Sequence, residues 1–95
     1  MKIIIVGKTM KDAIAYKDKW ASLVPEQRIS ILGKHYMTFF DGTVVDCISI
    51  EEQLRGRMFD IALVQEGVDP FLIDIIVAQL QAYSIIPSWG ILRFK

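Results

Sequence analysis

Residues 54–67 read LRGRMFDIALVQEG and contain the most informative pattern of this 95-residue chain. An arginine-flanked glycine, Gly56, leads to Asp60, and four apolar residues then run directly into Gln65 and Glu66. A short apolar run between polar residues is typical of a buried strand. Polar side chains directly after such a strand lie at its carboxyl end, where open α/β sheets hold their ligands. The stretch therefore predicts a buried strand over 61–64 with a candidate site at its end.

The amino-terminal third predicts a strand followed by a helix. Lys2–Val6 is a β-branched apolar run that ends at Gly7, which favours a buried strand. Thr9 can cap a helix, with Asp12 three residues later as in a capping box. Pro25 ends this helix. The predicted helix has an apolar face formed by Ala13, Tyr16, Trp20 and Leu23. Its polar side is formed by Lys11, Asp12, Lys17, Asp18 and Lys19.

Asp41-Gly42 predicts a β-hairpin. The two residues separate β-prone runs, and the tight turn between paired strands needs positive φ, which glycine adopts readily. A two-residue turn would place Phe40 opposite Thr43 and Tyr36 opposite Cys47. The hairpin would add antiparallel strands to a sheet whose other strands we expect to be parallel.

The remaining segments complete an α/β pattern. Their expected positions are 28–32 and 91–94 for strands, 51–57 for a short helix or turn, and 71–83 for a helix that begins at Asp69-Pro70. We therefore expect one small α/β domain over residues 1–95, with a mixed sheet of about five strands that includes the hairpin. Two or three helices would flank the sheet in two or three layers. The carboxyl ends of the parallel strands would fall at 7–9 and 65–67.

Composition limits the class of protein. The chain is 53% hydrophobic, and a chain this short buries a modest share of its surface, which favours contact with a partner or a second copy. No apolar run approaches the roughly 20 residues that span a bilayer, and the segment 1–7 is too short for a signal peptide, so we expect a cytoplasmic protein without membrane contact. Cys47 is the only cysteine and His35 the only histidine, which excludes an internal disulfide and a zinc site.

Charge argues against a strong non-specific nucleic-acid binder. The formal net charge is zero, whereas such binding depends mainly on neutralising phosphates. The charges are unevenly distributed, since residues 1–35 contain seven basic and three acidic groups and residues 36–74 contain two basic and eight acidic groups. This asymmetry is compatible with head-to-tail self-association, with a local basic patch, or with a simple solvated surface.

Gly7-Lys8-Thr9 follows a strand and opens a helix, as the end of a P-loop does. A P-loop also needs a glycine five residues before its Gly-Lys pair, and Lys2 occupies that position here. Strand-forming residues fill 3–6, where the loop would have to wrap phosphates. The alternatives are a helix start that favours anions through its free N–H groups and a plain strand-to-helix turn.

Glu66 is the candidate for chemistry, because a carboxylate at a strand end can orient a water or hold a cation. The alternative is that Gln65 and Glu66 form a polar strand terminus that caps a neighbouring helix. Arg55 and Arg57 could contact phosphate through paired guanidinium hydrogen bonds or could pair with nearby glutamates in an exposed loop.

Three segments together resemble the ATPase domain of phage large terminase subunits, the DNA-packaging motors. They are IIIVGKTMKDA from Ile3, TFFDGTVVDCIS from Thr38 and LRGRMFDIALVQEGVD from Leu54. The resemblance implies that Glu66 corresponds to the catalytic glutamate and Gln65 to the magnesium-binding aspartate.

Other parts of the terminase pattern have no counterpart in this sequence. Lys8 and Thr9 match the small-Thr segment that follows the family's first helix, and nothing corresponds to its P-loop or nuclease domain. Gln65 carries no charge for magnesium. The resemblance therefore implies a Rossmann-like half of a P-loop NTPase that does not hydrolyse ATP alone, since most of the stabilisation of phosphoryl transfer is missing.

We accordingly expect a non-hydrolytic, terminase-like interaction module, phage- or prophage-encoded, that regulates a partner protein or a nucleic-acid motor. It would use no cofactor and no metal, and it would bind a protein partner or form a homo-oligomer, such as a homodimer. The candidate contact residues lie on the wide apolar helix and in the tail, and are Leu72, Ile76, Leu80 and Trp89.

Two other functions are compatible with the sequence. The first is a small nucleotide- or nucleic-acid-binding domain whose contacts would be Lys8, Thr9, Lys11, Arg55 and Arg57, extended by Arg28 and Lys34. With zero net charge, its binding to nucleic acid would be weak. The second is a small enzyme in which Glu66 acts as a general base.

Overall fold

The computed structural model describes residues 1–49, 51–54, 59–83 and 91–95. Its strands are β1 Lys2–Val6, β2 Ile29–Leu32, β3 Tyr36–Phe39, β4 Val44–Ile48, β5 Ile61–Gln65 and β6 Ile91–Phe94. They form one sheet in the order β2-β3-β4-β1-β5-β6. β1 is parallel to β4 and β5, β5 is parallel to β6, and β2-β3-β4 is antiparallel. The predicted mixed sheet is confirmed, and it has six strands rather than about five because β2 pairs with β3.

Helices lie on both faces of the sheet. They are α1 Met10–Leu23, α2 Glu51–Leu54 and α3 Pro70–Tyr83, and a short 3-10 helix spans Glu26–Arg28. Because successive strand residues point to opposite faces, Ile3 and Ile5 pack with α1, while Ile4 and Val6 pack with α2 and α3. The arrangement therefore has three layers. None of the helices that the structure describes has the length and hydrophobicity of a membrane-spanning segment.

Both long helices begin where the sequence predicts. The Thr9 hydroxyl accepts a hydrogen bond from the Asp12 backbone N–H at 3.1 Å. The Asp69 carboxylate accepts one from the Phe71 backbone N–H at 2.9 Å, with Pro70 at the first helical position. These bonds satisfy N–H groups that have no partner inside the helix.

The loops after β1 and β5 leave the sheet in opposite directions. The loop after β1 leads to α1 on one face, and the loop after β5 leads to α3 on the other face. Because β1 and β5 are parallel neighbours, the two loops diverge at the shared carboxyl edge. Such a topological switch point is where open α/β sheets bind ligands.

The register of the β3–β4 hairpin differs from the prediction by one residue. The expected pairs Phe40–Thr43 and Tyr36–Cys47 are wrong, since Tyr36 lies opposite Asp46. A shift of one residue moves every side chain of a strand to the other face.

The turn chemistry explains this difference. The Phe39 N–H donates to the Thr43 carbonyl at 2.9 Å, and the Gly42 N–H donates to the Phe39 carbonyl at 3.1 Å, so the turn contains three residues. Gly42 has φ of +92°, as the last residue of such a turn requires. As a result Met37 is buried and Tyr36 is exposed.

Helix α1 differs from its predicted faces at two positions. Lys17, expected on the polar side, is 1% exposed, and Leu23, expected on the apolar face, is 76% exposed. The buried line of α1 runs through Ala13 and Lys17. The Lys17 ammonium donates to the backbone carbonyls of Gly33 and of Lys34, the latter at 2.9 Å. Lys17 therefore ties the β2–β3 loop to the helix, which explains how a lysine is tolerated inside.

Candidate functional site

The two loops singled out from the sequence meet at the carboxyl edge of the sheet. Val6 and Val64 are paired neighbours at the ends of β1 and β5, so residues 7–9 and 65–67 lie side by side. The Lys8 backbone N–H donates to the Gln65 side-chain oxygen at 2.8 Å. The predicted placement of both loops at this edge is therefore confirmed, and a direct hydrogen bond joins them.

The turn from β1 into α1 is too tight for a phosphate loop. A Cβ atom on Gly7 would lie 2.6 Å from the Thr9 carbonyl oxygen and 2.7 Å from the Ala13 nitrogen, so only glycine fits. The Gly7 N–H donates to the Ile48 carbonyl of β4 at 3.0 Å. The residues that would have to wrap phosphates form β1 itself, and 7–9 are a short strand-to-helix turn.

Gln65 has a structural role at this edge. The side chain is 8% exposed, and its oxygen accepts the Lys8 N–H. It thus satisfies a backbone donor of the turn before α1, in line with the interpretation of 65–66 as a polar strand terminus. The Glu66 side chain is exposed, and its backbone N–H donates to the Phe94 carbonyl at 2.7 Å.

A cavity of about 440 Å³ opens beside this junction. Its lining residues are Gly7, Lys8, Ser49, Gly67, Val68, Asp69, Phe71 and Leu72. Gly67 has φ of +91°, and the Lys8 side chain passes over it, so that a Cβ there would lie 3.2 Å from the Lys8 Cδ. Within the described ranges, no three His, Cys, Asp or Glu side chains come together in a way that would hold a metal ion.

The structure divides the candidate basic residues between two edges of the sheet. Lys8, Thr9 and Lys11 lie at the carboxyl edge, at the start of α1. Lys34 follows β2 at the same edge. Because β2 lies three strands from β1, the two strands are about 14 Å apart at a strand spacing of about 4.8 Å. Arg28 lies at the opposite edge, next to the β3–β4 turn, where its carbonyl accepts the Phe40 N–H at 3.0 Å. These residues therefore do not form one continuous basic surface.

Two of the predicted contact residues of α3 pack inside the domain. Ile76 is fully buried in the core below α3, and Leu72 is half-buried against the same core. The side chain of Leu80 lies outside the described residues, as do Trp89, Arg55 and Arg57.

Apolar surface is also exposed on the α1 face of the sheet. Helix α1 packs mainly against β4 and β1. Of the strip formed by β5 and β6, it covers Phe94, on which Tyr16 stacks. On this strip Ile61 and Leu63 are half-buried, and Leu92 is 52% exposed. A groove of about 460 Å³ runs between the strip and α1, lined by Ile3, Tyr16, Lys19, Trp20, Leu23, Ile61, Leu63 and Leu92. We call it the β5–β6 groove.

The groove has a polar end at the carboxyl edge. A smaller cavity of about 300 Å³ there is lined by Asp12, Ala15, Tyr16, Lys19, Gln65, Phe94 and Lys95. It shares Tyr16 and Lys19 with the β5–β6 groove. The rings of Tyr16 and Phe94 stack with their centroids 3.9 Å apart. The groove, lined mainly by apolar side chains, and the more polar cavity therefore adjoin along α1 at Tyr16 and Lys19.

The sequence did not reveal this groove. Alternating apolar residues in a strand indicate a preference for burial, but they do not show whether a covering helix is present. The one signal in the sequence that could have indicated it was the small number of predicted long helices. One long helix covers about two strands at a strand spacing of about 4.8 Å, so a single helix cannot cover one whole face of this sheet.

The Cys47 thiol is buried in the core on the α1 face. Burial raises the pKa of its thiol to about 11, and the nearby Lys17 ammonium offsets only part of that effect. The thiol is therefore protonated at neutral pH, whereas a nucleophilic cysteine needs a thiolate.

A scan against models of protein families finds no match to this chain, and a search of curated proteins finds none with significant similarity.

Proposed function

We propose that this chain is a non-hydrolytic protein-interaction module. The observation that supports this function best is the β5–β6 groove, which α1 borders but does not cover. Leu92 and Leu23 both expose more than half of their surface along it. Covering a largely exposed leucine gains about 1–2 kcal/mol, so a contiguous apolar groove favours a bound partner.

The carboxyl edge supports the non-hydrolytic part of the proposal. The position that would hold a magnesium-binding aspartate carries the neutral Gln65, whose oxygen is already used by the Lys8 N–H. Phosphoryl transfer depends on such a metal and on a loop that cradles the phosphates. The tight turn at 7–9 leaves no room for that loop.

We also propose that the fold is a Rossmann-like half of a P-loop NTPase derived from a phage terminase motor. The support is the resemblance of the sequence together with Glu66 following β5, next to the loop after β1. In this proposal the module is phage- or prophage-encoded and regulates a partner protein or a nucleic-acid motor.

Selection of peptide ligands tests the interaction function. A phage-displayed library of random 16-residue peptides is selected on the wild-type chain, and the ligands are measured against Leu92→Lys and Ile31→Lys. The two replaced side chains are equally exposed, at 52%, and lie on the two opposite edge strands. We expect ligands that lose at least tenfold in affinity for Leu92→Lys and keep it for Ile31→Lys. Failure to select any ligand, or equal losses for both variants, would contradict the function.

Magnesium-dependent ATP hydrolysis tests the non-hydrolytic part. We expect no turnover above the buffer blank for the wild type, for Glu66→Gln, or for Glu26→Gln as the control at another exposed glutamate. Turnover that Glu66→Gln abolishes and Glu26→Gln retains would show that the chain is an enzyme.

A nucleotide-binding domain is the second candidate function. The observation that favours it is the 440 Å³ cavity at the switch point, where the Lys8 side chain lies over Gly67. If this function is correct, Lys8→Ala weakens nucleotide binding in a calorimetric titration and Lys19→Ala, outside that cavity, does not. Absence of binding to the wild type would remove this candidate.

A further inference from the structure

We propose that the β5–β6 groove binds an acidic amphipathic helix of a partner protein, with the carboxyl end of that helix next to Gln65. This inference rests on the proposed interaction function and names the class of partner. It follows from the dimensions of the groove, from its side chains and from its charges.

The dimensions match one helix. The open strip is two strands wide, which is about 10 Å, and packed helices lie about 8–10 Å from their neighbours. β5 has five residues and is about 17 Å long, a length that about 11 residues of α-helix span. A helix of about three turns that runs the length of β5 therefore lies over Ile61 and Leu63 and meets the Tyr16–Phe94 stack at the carboxyl edge.

The side chains match an apolar helical stripe. Ile61, Leu63 and Leu92 form the floor of the groove, and Trp20 and Leu23 form its wall on the α1 side. A helix with apolar residues at positions i, i+3, i+4 and i+7 presents one stripe that contacts both floor and wall.

The charges favour an acidic partner. Lys19 lines both the groove and its polar end, Lys95 lines the polar end, and both are exposed. Asp12 is the one acidic side chain among the lining residues of the two cavities. Glutamates and aspartates beside the apolar stripe of the partner would therefore pair with the lysines.

Gln65 sets the direction of the bound helix. Its oxygen accepts the Lys8 N–H, while its amide nitrogen has no hydrogen-bond partner in the part of the chain that the structure describes. Among the described residues, every fully buried polar side-chain atom has a hydrogen-bond partner. The unpaired amide nitrogen of Gln65 is therefore not fully buried, and Gln65 lines the polar cavity. The last carbonyls of a helix lack partners and carry partial negative charge, so this donor and the two lysines suit a carboxyl-terminal end.

A second copy of the chain fits the groove less well. The strip measures about 10 by 17 Å, or about 170 Å² in projection, whereas each partner in a stable protein interface buries about 800 Å². Two copies packed groove to groove about a two-fold axis along α1 would also bring Lys19 of one copy towards Lys19 of the other. An inserted helix avoids both problems, because it contacts floor and wall and can supply acidic groups.

Patterned libraries test the partner class. Three phage-displayed libraries of 14-residue peptides are selected on the wild-type chain: a helical apolar pattern with acidic polar positions, the same pattern with basic ones, and an alternating strand pattern with acidic ones. We expect the acidic helical library to give the tightest ligands. Their affinity should fall at least tenfold for Leu92→Lys and several-fold for Lys19→Glu, and stay unchanged for Ile31→Lys and for Lys34→Glu, a charge reversal outside the groove.

Paramagnetic labelling tests the direction. A nitroxide at the carboxyl end of the best peptide should broaden the Gln65 side-chain NH₂ signal in a ¹⁵N-correlated NMR spectrum, and a nitroxide at its amino end should not. The reverse pattern, or no broadening from either end, would overturn the orientation.

The outcomes separate this inference from the proposed function. Leu92-dependent ligands that are basic or extended overturn the helix and leave the interaction function intact. A wild-type dimer in sedimentation analysis that Leu92→Lys dissociates and Ile31→Lys does not makes a second copy the occupant, and also overturns the helix. Absence of any Leu92-dependent ligand together with a monomeric wild type overturns both.

Discussion

The α1 face of the sheet has a closed half and an open half. In the closed half, formed by β1, β3 and β4, Ile5, Met37 and Val45 are fully buried under α1. In the open half, formed by β5 and β6, Leu63 is half-buried and Leu92 is exposed. Both halves have the same apolar alternation, so the difference lies in the covering helix and not in the strands. An apolar strand face without its helix is a surface that another molecule can complete.

The largest expected effect comes from truncating one apolar side chain in each half. Ile5→Ala should lower the free energy of unfolding by about 3 kcal/mol, because it removes buried methyl groups and leaves a cavity. Leu92→Ala should lower it by less than about 0.5 kcal/mol, since the side chain is exposed. Urea denaturation of both variants measures the contrast. Equal losses would show that both halves are closed in solution.

The next effect concerns two lysines on α1. Lys17→Ala should cost about 2–3 kcal/mol of unfolding free energy, because the carbonyls of Gly33 and Lys34 lose their donor inside the closed half. Lys19→Ala, on the open side, should change stability by less than about 0.5 kcal/mol. The same denaturation experiment compares them, and a stable Lys17→Ala variant would mean that Lys17 does not tie the β2–β3 loop to α1.

A smaller effect is expected at the junction of the two loops. Gln65→Leu should cost about 1–2 kcal/mol, because the Lys8 N–H loses its acceptor in a partly buried place. Gln65→Glu keeps an acceptor of the same length and should stay within about 0.5 kcal/mol of the wild type at neutral pH. If the two variants are equally stable, the hydrogen bond between the loops does not contribute.

The smallest effect depends on pH and concerns Cys47 in the closed half. Its folded-state pKa is raised from 9.0 to about 11 by burial, so the unfolded chain loses this proton at lower pH than the folded chain. Stability is therefore unaffected by this group below pH 9.0 and falls as pH rises from there to about 11. Between pH 8 and pH 10 the thiol should cost the wild type about 1 kcal/mol, and Cys47→Ala should lack that part of the loss. If the unfolding free energies of the wild type and of Cys47→Ala change with pH in the same way, the thiol is exposed to solvent in the folded protein.

Local signals in the sequence predicted the elements and their ends. Thr9 and Asp69 are both helix caps, and the apolar runs 2–6 and 61–64 form strands, the second of which is fully buried on one face only. These structures depend on residues close in sequence. The meeting of 7–9 with 65–67 also followed, since the carboxyl ends of parallel neighbours share one edge.

Features that depend on contacts distant in sequence could not be predicted. The helical pattern placed Lys17 among polar residues, and only the fold brings the carbonyls of Gly33 and Lys34 to it. The hairpin register depended on whether the turn has two or three residues, which Asp41-Gly42 alone does not decide. The β5–β6 groove depended on α1, which, within the described part of the chain, lies mainly over β4 and β1.

Solvent accessibility of leucine and isoleucine methyl groups gives the most direct test of the open half. A soluble nitroxide is added to the chain with ¹³C-labelled methyl groups, and signal broadening is compared for Ile5, Leu92 and Ile31, the last being an exposed reference. We expect Leu92 to broaden as strongly as Ile31 and Ile5 to remain sharp. If Leu92 stays as sharp as Ile5, the groove is covered in solution, and the proposed docking surface does not exist.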